Sequence, residues 1–289
     1  PLSEQTQYYS SNYSESFAYS VISFDNSPLN RTKNVKMPGL SWNASAGRSA
    51  VYEINTAADD VRIFMVDYLQ GSVPVYKGVY PEKTLFKISM TDDNGKAVIE
   101  FFDNEGKLIL RKVQLSDAPA GAYDGWICTY NIYDDYGQIR YQVQPEGVKY
   151  LSNNSWSFAG GNGLLILNEQ CFQYYYDEKG RIAWKKSPGA EPLKMLYDIR
   201  DRMVFMQDGN QASLATPQWT VKIYDELDRP VISTLYNTTK TISQLKSDIN
   251  NAATSTTITI SNPGTFSVTT TTYLNPVSSA SLNNSSATT

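Results

Sequence analysis

QYYYDEKGRIAWKKSPG, residues 173–189, is the stretch from which the fold of this chain can be read. Aromatic residues lead into Asp177, two residues follow, and Gly180 and Arg181 open a second alternating run. An Asp at the first position of a turn accepts hydrogen bonds from the turn amides, and a Gly at the fourth position adopts a positive φ without strain. The flanking runs are rich in aromatic and β-branched residues, which favour strands. The stretch therefore predicts a β-hairpin.

The same pattern recurs along the chain at irregular intervals. Two degenerate copies carry a second Asp where Gly would stand, which is tolerable because Asp enters the left-handed region more readily than most residues. A residue type that occupies one turn position six times is predicted to cap turns rather than to catalyse. The predicted turn positions are Asp92 with Gly95, Asp103 with Gly106, Asp134 with Gly137, Asp177 with Gly180 and Arg181, Asp198 with Arg202, and Asp225 with Arg229.

A basic residue follows four positions after five of these Asp residues, and two explanations for it remain open. The cation and the Asp can form an ion pair across the turn, which contributes only about 0–1 kcal/mol if it is exposed. Alternatively, the stem of the basic side chain can pack over a neighbouring Tyr ring. The residues concerned are Lys96, Lys107, Arg181, Arg202 and Arg229.

Outside these repeats the sequence predicts further short strands and one helix. Residues 24–39 resemble a lengthened copy of the hairpin, and strands are expected within 17–24, 51–54, 61–66, 73–79 and 85–90. Gly160–Gly163 is expected to be a plain turn. Thr241 and Gln244 have the spacing of a capping box, which predicts a helix over 241–252. A hairpin is expected at 257–268, followed by a polar tail. The predicted segments are 1–83, 84–240 and 241–289.

Composition excludes several classes of function. The 289 residues are 41% hydrophobic and 19% charged, which is globular, and 25 basic against 29 acidic residues give a net charge of -4. Scattered basic residues predict no nucleic-acid partner. The absence of His removes Ser-His-Asp triads and His-containing metal sites. For Cys128 and Cys171 a pair of buried free thiols is favoured over a disulfide.

Segments that target or anchor a chain are also not expected. No apolar run reaches 18 residues, so no transmembrane helix is predicted. The N-terminus lacks the basic and apolar regions of a signal peptide, and it reads as an internal piece of a longer chain or as a processed product. The uncharged, Thr-rich C-terminal end also leads us to expect that this chain is a piece of a longer one.

The residues offer weak support for catalysis or ligand binding. Asp92–Gly95 places Gly too early for a calcium loop, and Gly160–Gly163 lacks the spacing of a phosphate-binding loop. The 21 Tyr residues could stack on sugars, but packing between strands with the hydroxyl at the rim is favoured. We therefore expect no catalytic residue, no cofactor and no metal.

The repeats resemble the YD repeats of rearrangement-hotspot (RHS) proteins, whose core is Tyr-Asp-x-x-Gly-Arg-Leu/Ile. YYYDEKGRIAWKKSPG is a close match, and YDDYGQIRYQVQPEG differs by Gln138 in place of Arg. The resemblance covers about residues 5–236, and the arrangement of the repeats looks like that in large YD-repeat proteins of gliding-type Gram-negative bacteria.

The resemblance implies an all-β fold in which YD-repeat hairpins wind into a curved, spiralling antiparallel sheet that forms part of a shell. It also implies a secreted or cell-surface protein whose shell encloses a C-terminal effector or toxin, with export by the type IX route. No plug domain, autoproteolytic aspartyl site, toxin or secretion domain is found here. The expected role is a section of the shell wall, whose partners are the rest of a longer chain and secretion machinery. The alternatives are a surface adhesin or carbohydrate-binding module and, third, a secreted hydrolase.

Overall fold

The computed structural model describes the backbone of residues 2–44, 47–224, 227–251, 256–261 and 265–270. It confirms the all-β class, because fourteen of the described strands form one large antiparallel sheet. The strands are β1 (Val21–Phe24), β2 (Thr32–Lys36), β3 (Arg48–Ile54), β4 (Arg62–Met65), β5 (Val75–Val79), β6 (Phe86–Thr91), β7 (Ala97–Phe102), β8 (Leu108–Gln114), β9 (Trp126–Tyr133), β10 (Ile139–Val143), β11 (Cys171–Tyr176), β12 (Ile182–Lys186), β13 (Leu193–Tyr197), β14 (Met203–Gln207), β15 (Gln218–Tyr224), β16 (Pro230–Asn237), β17 (Thr256–Ser261) and β18 (Thr265–Thr270).

The chain divides into two compact units, residues 1–171 and 172–289. In the first unit the sheet order is β1-β2-β3-β6-β7-β8-β9-β10, and β4 and β5 form a separate ribbon. In the second unit the order is β11-β12-β13-β14-β15-β16, and β17 and β18 form a separate ribbon. Neighbours in sequence are mostly neighbours in the sheet, which is the arrangement that successive hairpins produce.

The hairpin at Asp177 shows why these turns form. The amide of Asp177 donates to the carbonyl of Arg181 at 2.8 Å, and the amide of Gly180 donates to the carbonyl of Asp177 at 2.9 Å. The strand register shifts between Tyr175 and Tyr176, next to the turn. This is a type I turn followed by a left-handed residue in a bulge, one of the common hairpin connections.

Each unit has its own apolar core. In the first, Phe101 and Leu110 are fully buried together with Tyr130 and Leu151. In the second, Phe205 and Val221 are fully buried, and Leu245 and Ile249 of the helix near the C-terminus pack into the same cluster. Cys128 and Cys171 are free and buried, as expected.

The expectation of a single helix is wrong. The helices are α1 (Leu2–Tyr13), α2 (Leu40–Ala44), α3 (Pro145–Asn153), α4 (Gly160–Gln170), α5 (Gly209–Ala212) and α6 (Ile242–Asn251), with a 3-10 turn at Ala57–Asp59. α1 was missed because its Ser- and Tyr-rich sequence has low helix propensity and no buried side chain, so it shows no apolar period. α3 has Pro at its start and buries Val148 and Leu151.

Gly160–Gly163 is not a plain turn but the first turn of α4. A Cβ on Gly163 would clash with the carbonyl group of Phe158, a buried core residue. Gly163 is therefore required by close approach of two backbone segments, whereas its sequence context is typical of a loop.

α6 and the following hairpin agree with expectation. Gln244 accepts a hydrogen bond from the Thr241 amide at 2.8 Å, and its own amide donates to Thr241 Oγ1 at 3.3 Å, which is the predicted capping box. β17 and β18 pair antiparallel. The predictions for Asp225, Ala252, the turn at 262–264 and the polar tail lie outside the described residues. No helix in the described part of the chain is long and apolar enough to cross a membrane.

Candidate functional site

The turn Asp residues share one set of hydrogen bonds. In each, Oδ1 accepts from the backbone amides two and four residues later. The pairs of distances are 2.9 and 2.8 Å at Asp92, 2.9 and 2.8 Å at Asp103, 3.0 and 2.9 Å at Asp134, 3.0 and 3.0 Å at Asp177, and 2.9 and 3.0 Å at Asp198. One oxygen thus organises the turn, and in Asp177 and Asp198 the other accepts from the Arg four residues later.

The residue at the fourth turn position has a left-handed backbone conformation whether it is Gly or Asp. Gly180 has φ 75°, and Asp201 and Asp228 of the degenerate copies both have φ 62°. The same holds for Gly95, Gly106 and Gly137, with φ 80°, 79° and 75°. Asp is accepted here because its short polar side chain lowers the cost of that region.

A β-branched residue at this position should be costly. We expect Gly180→Val to destabilise the fold by about 1–3 kcal/mol, because valine is strained at a positive φ. Gly180→Asn is the matched control and should cost far less, since Asn visits this region readily. Urea denaturation of the three proteins measures both effects, and an unchanged unfolding midpoint for the valine variant would contradict the turn assignment.

Both explanations left open for the basic residue are observed, namely the ion pair with the Asp and the contact with a Tyr ring. Arg181 donates from Nε to Asp177 Oδ2 at 2.8 Å, and its Nη2 lies 2.6 Å from the same oxygen. The guanidinium carbon of Arg181 also lies 4.6 Å from the centroid of the Tyr197 ring, which belongs to the next hairpin. Arg202 repeats both contacts with Asp198 and Tyr224.

The Tyr hydroxyl completes the contact between successive hairpins. Tyr197 Oη donates to the carbonyl of Ile182, the residue after Arg181, at 3.0 Å. The equivalent bonds run from Tyr224 to Met203 at 2.8 Å, from Tyr133 to Leu108 at 3.1 Å and from Tyr52 to Thr32 at 3.3 Å. The Tyr hydroxyl therefore donates to the neighbouring hairpin instead of lying at the rim, which differs from the prediction. We call this set of Asp, cation and Tyr contacts the turn ladder.

The turn ladder has a further contact that sequence reasoning missed. Arg181 Nη1 donates to Asp201 Oδ1 at 2.6 Å, and Arg202 Nη1 donates to Asp228 Oδ1 at 2.8 Å. The Asp that replaces Gly in a degenerate copy thus also receives the guanidinium of the preceding turn. The sequence itself indicates this contact, because both turns that have Asp in place of Gly directly follow a repeat that carries Arg.

The first unit contains variants of the ladder. Arg31 donates to Asp25 Oδ2 at 2.7 Å and lies over the Tyr52 ring at 4.2 Å, and Tyr52 was not recognised because no Asp follows it. Gln138 stands where Arg is expected, and Arg140 instead lies 3.5 Å from Asp134 with both side chains buried. Lys96 pairs with Asp117, and Arg229 is exposed.

The contacts of Asp177 in the ladder lower the pKa of its carboxyl group. Burial acts to raise the pKa of Asp177, but hydrogen bonds from Arg181 and from the Lys179 amide outweigh it and hold that pKa below its usual value of 3.8. Outside the ladder, the pKa of Asp59 is also lowered, because hydrogen bonds from the Thr56 amide and the Lys87 ammonium outweigh its burial.

These shifts predict loss of stability in acid. The folded pKa lies below the unfolded one, so the unfolded state binds more protons and acid favours unfolding. The contribution is fully present above about pH 4 and is lost as the pH falls through the lowered folded values. We expect the urea midpoint to be steady from about pH 7 to 5 and to fall below about pH 4. Asp177→Asn should weaken this dependence, and a midpoint unchanged into acid would contradict it.

The described residues offer little reactive chemistry. Among them, no group of three or more His, Cys, Asp or Glu side chains could hold a metal ion. Burial raises the pKa of the Cys128 thiol to about 11 and that of Cys171 to about 12, which keeps both in the unreactive thiol form. The site built by the repeated residues is thus a series of structural contacts.

Comparison with known proteins gives limited similarity. A family described as a domain of unknown function (DUF6443) matches residues 1–56. No curated protein matches the sequence. Among solved structures, a TcdB2-TccC3 complex is similar at 15% identity over 81% of this chain and 9% of that chain, with a TM-score of 0.48. The same complex with Cdc42 gives 15% identity, 78% and 9% coverage, and a TM-score of 0.46.

A third similar structure is the Tc holotoxin pore of Photorhabdus luminescens, at 11% identity over 77% of this chain and 13% of that one, with a TM-score of 0.38. The present chain thus spans about a tenth of the length of these solved chains.

Proposed function

We propose that this chain is a non-enzymatic section of the wall of an RHS-type shell, which is secreted or displayed at the cell surface and encloses or displays a C-terminal effector or toxin. The observation that carries the proposal is the turn ladder. Arg181 and Arg202 each bind the Asp of their own turn and the Tyr of the next hairpin, so the motif joins hairpins to one another. Export by the type IX route belongs to the same proposal and follows from the resemblance of the repeats.

A wall of this kind must extend by repetition of one structural unit. Stacked repeats bury a continuous core between neighbours and gain stability from the interface of each neighbouring pair. In the second unit, Arg181 and Arg202 supply this interface through equivalent contacts with Tyr197 and Tyr224 of the next hairpin. The recurring Asp, cation and Tyr residues of the repeat thus serve to join hairpins, and the partner expected for such a section is the remainder of its own longer chain.

Protease protection of the protein isolated from its producing cells tests the proposal. We expect a non-repeat effector region to resist protease while the repeat region is folded, and to be cleaved once mild denaturant opens the sheet. The control is the effector region expressed alone, which should be cleaved without denaturant. Equal cleavage rates for the enclosed and the isolated region would contradict enclosure.

A carbohydrate-binding surface is the second candidate, and one observation favours it. Tyr68 and Tyr136 are both exposed, and their ring centroids lie 5.2 Å apart. Exposed aromatic rings can stack on sugars. Glycan binding that is lost in Tyr136→Ala would move this function to first place, whereas a wall section should bind no glycan through this pair.

A further inference from the structure

A polar cavity of about 160 Å³ lies in the first unit, beside the turns that begin at Asp103 and Asp134. Its lining also includes Arg62, Lys107 and Asn131. Two cations and two carboxylates thus line the cavity, and their formal charges cancel. Because a further charged group would leave one sign of charge in excess, the cavity favours a neutral ligand.

The Asp134 carboxylate has a counter-ion but lacks a hydrogen bond at one oxygen. Its side chain is 1% exposed, and Oδ2 lies 3.5 Å from Arg140 Nη1. Oδ1 accepts the amides of Tyr136 and Gln138, whereas Oδ2 is buried and accepts no hydrogen bond from the described residues. A buried carboxylate oxygen without a donor is costly. Asp134 therefore favours a donor that brings no charge.

Arg62 presents the complementary group, a donor without an acceptor. Its Nη1 donates to Tyr76 Oη at 2.9 Å, and its Nη2 pairs with Asp60. Nε is buried and donates to none of the residues that the structure describes. The charge of Arg62 is thus compensated, and what Nε lacks is an acceptor. An unpaired donor and an unpaired acceptor therefore belong to residues that line one cavity.

The remaining lining groups fit a ligand that has both polar and apolar parts. The Lys107 ammonium pairs with Glu105 at 2.5 Å and lies over the Tyr133 ring at 5.7 Å, so this cation already has partners. Phe64 and Ile109 add apolar surface to the lining. A cavity of about 150 Å³ admits benzene, so this one has room for about six non-hydrogen atoms.

We propose that this cavity binds a small neutral polyol of about the size of glycerol. One hydroxyl donates to Asp134 Oδ2, another accepts from Arg62 Nε, and the carbon chain packs on Phe64 and Ile109. A polyol suits the site because each hydroxyl both donates and accepts, whereas an ammonium or a guanidinium only donates. The inference is independent of the proposed wall function, since it rests on two unpaired buried groups rather than on the contacts between hairpins.

Titration of the 289-residue chain with glycerol, followed by NMR shifts of the Arg62 and Asp134 amides, tests the proposal. We expect saturable shifts at residues that line the cavity, and only linear solvent effects elsewhere. The trimethyl ether of glycerol keeps the oxygens but has no O–H donor, so its response should be at least tenfold weaker. Shifts that stay linear in glycerol at these two amides would mean that water alone fills the cavity, which would overturn the proposal.

Two substitutions test the assigned contacts. Asp134→Asn keeps a side-chain oxygen to cap the turn but puts an amide nitrogen in place of Oδ2. Arg62→Lys keeps the positive charge but puts a methylene group in place of Nε. Each should weaken glycerol binding at least tenfold, and unchanged binding in both variants would overturn the proposal.

Asp92→Asn is the matched control for these variants. Asp92 caps its turn with the same two backbone hydrogen bonds but does not line the cavity, so glycerol binding should be unchanged. An equal loss in this variant would show that the effect arises from the turns in general, and it would contradict the proposal.

A larger polyol tests whether binding takes place inside the cavity. Methyl glucoside carries the same hydroxyl chemistry but is too large for this volume, so its response should be at least tenfold weaker than that of glycerol. Equal responses to the two compounds would place binding on the open surface and would contradict the proposal.

Discussion

Replacing Asp198 with alanine should destabilise the fold by about 3–5 kcal/mol, the range for breaking a buried ion pair from one side. The Asp198 side chain is fully buried, and Arg202 is 7% exposed. Asp198 Oδ2 accepts from Arg202 Nε at 2.7 Å, and Oδ1 accepts the amides of Arg200 and Arg202. The substitution leaves the guanidinium buried with less charge compensation and removes the cap of the turn.

Asp92→Ala is the matched control for this experiment. Asp92 caps its turn with the same two backbone hydrogen bonds but is exposed, and none of its described contacts is an ion pair. Its loss should cost about 1–2 kcal/mol. Urea unfolding followed by tryptophan fluorescence compares the two variants. Equal costs for Asp92→Ala and Asp198→Ala would mean that the Asp–Arg contact adds nothing to the turn cap.

The cost of Asp198→Ala should also depend on Arg202. In the double variant Asp198→Ala with Arg202→Met, the uncompensated buried charge is gone, so part of the lost stability should return. A double variant that is less stable than the sum of the two single effects would contradict this explanation.

Gly163→Ala should destabilise the first unit by about 3 kcal/mol, at the upper end of the usual cost of overpacking. The added methyl group would overlap the backbone carbonyl of Phe158, and backbone atoms cannot move aside as a flexible side chain can. Phe158 is itself fixed in the core, where its ring packs on Phe64 at 5.6 Å. Relief of the clash therefore requires α4 to shift.

Gly161→Ala in the same helix is the matched control. A Cβ at Gly161 would meet no atom within 4 Å, and its backbone is not left-handed. Alanine there should stabilise the protein by about 0.4–1 kcal/mol, because it reduces the entropy of the unfolded chain. Melting temperatures that move in opposite directions for the two variants would support this interpretation of α4, and a neutral Gly163→Ala would contradict it.

The hairpins were predictable from sequence because their determinants are local. The Asp at the first turn position and the residue with positive φ at the fourth lie within four residues of each other, so their spacing in the sequence carries the geometry. The strands β11 and β12 around Asp177 and the bulge beside the turn follow from the same few residues. Helix α6 was predictable for a similar reason, since its capping box is local.

The parts that could not be predicted depend on contacts between distant residues. Tyr52 stacks under Arg31, which lies 21 positions earlier in the sequence, and no sequence motif indicates this contact. Arg140 replaces the expected cation at Asp134 from two residues beyond the repeat position. α4 begins at a glycine cluster because its backbone packs against Phe158, a fact that single-sequence propensities do not contain.

Peptide mapping and intact mass of the protein isolated from its producing cells are the most direct test of the proposal that this chain is one section of a larger shell wall. We expect peptides that extend beyond Thr289 into a non-repeat region of the same chain, together with further YD repeats. A native chain that ends near Thr289 and has no covalently joined or co-purifying effector would contradict it. Such a chain could not close a shell by itself, and surface adhesion through exposed aromatic residues would then become the first explanation.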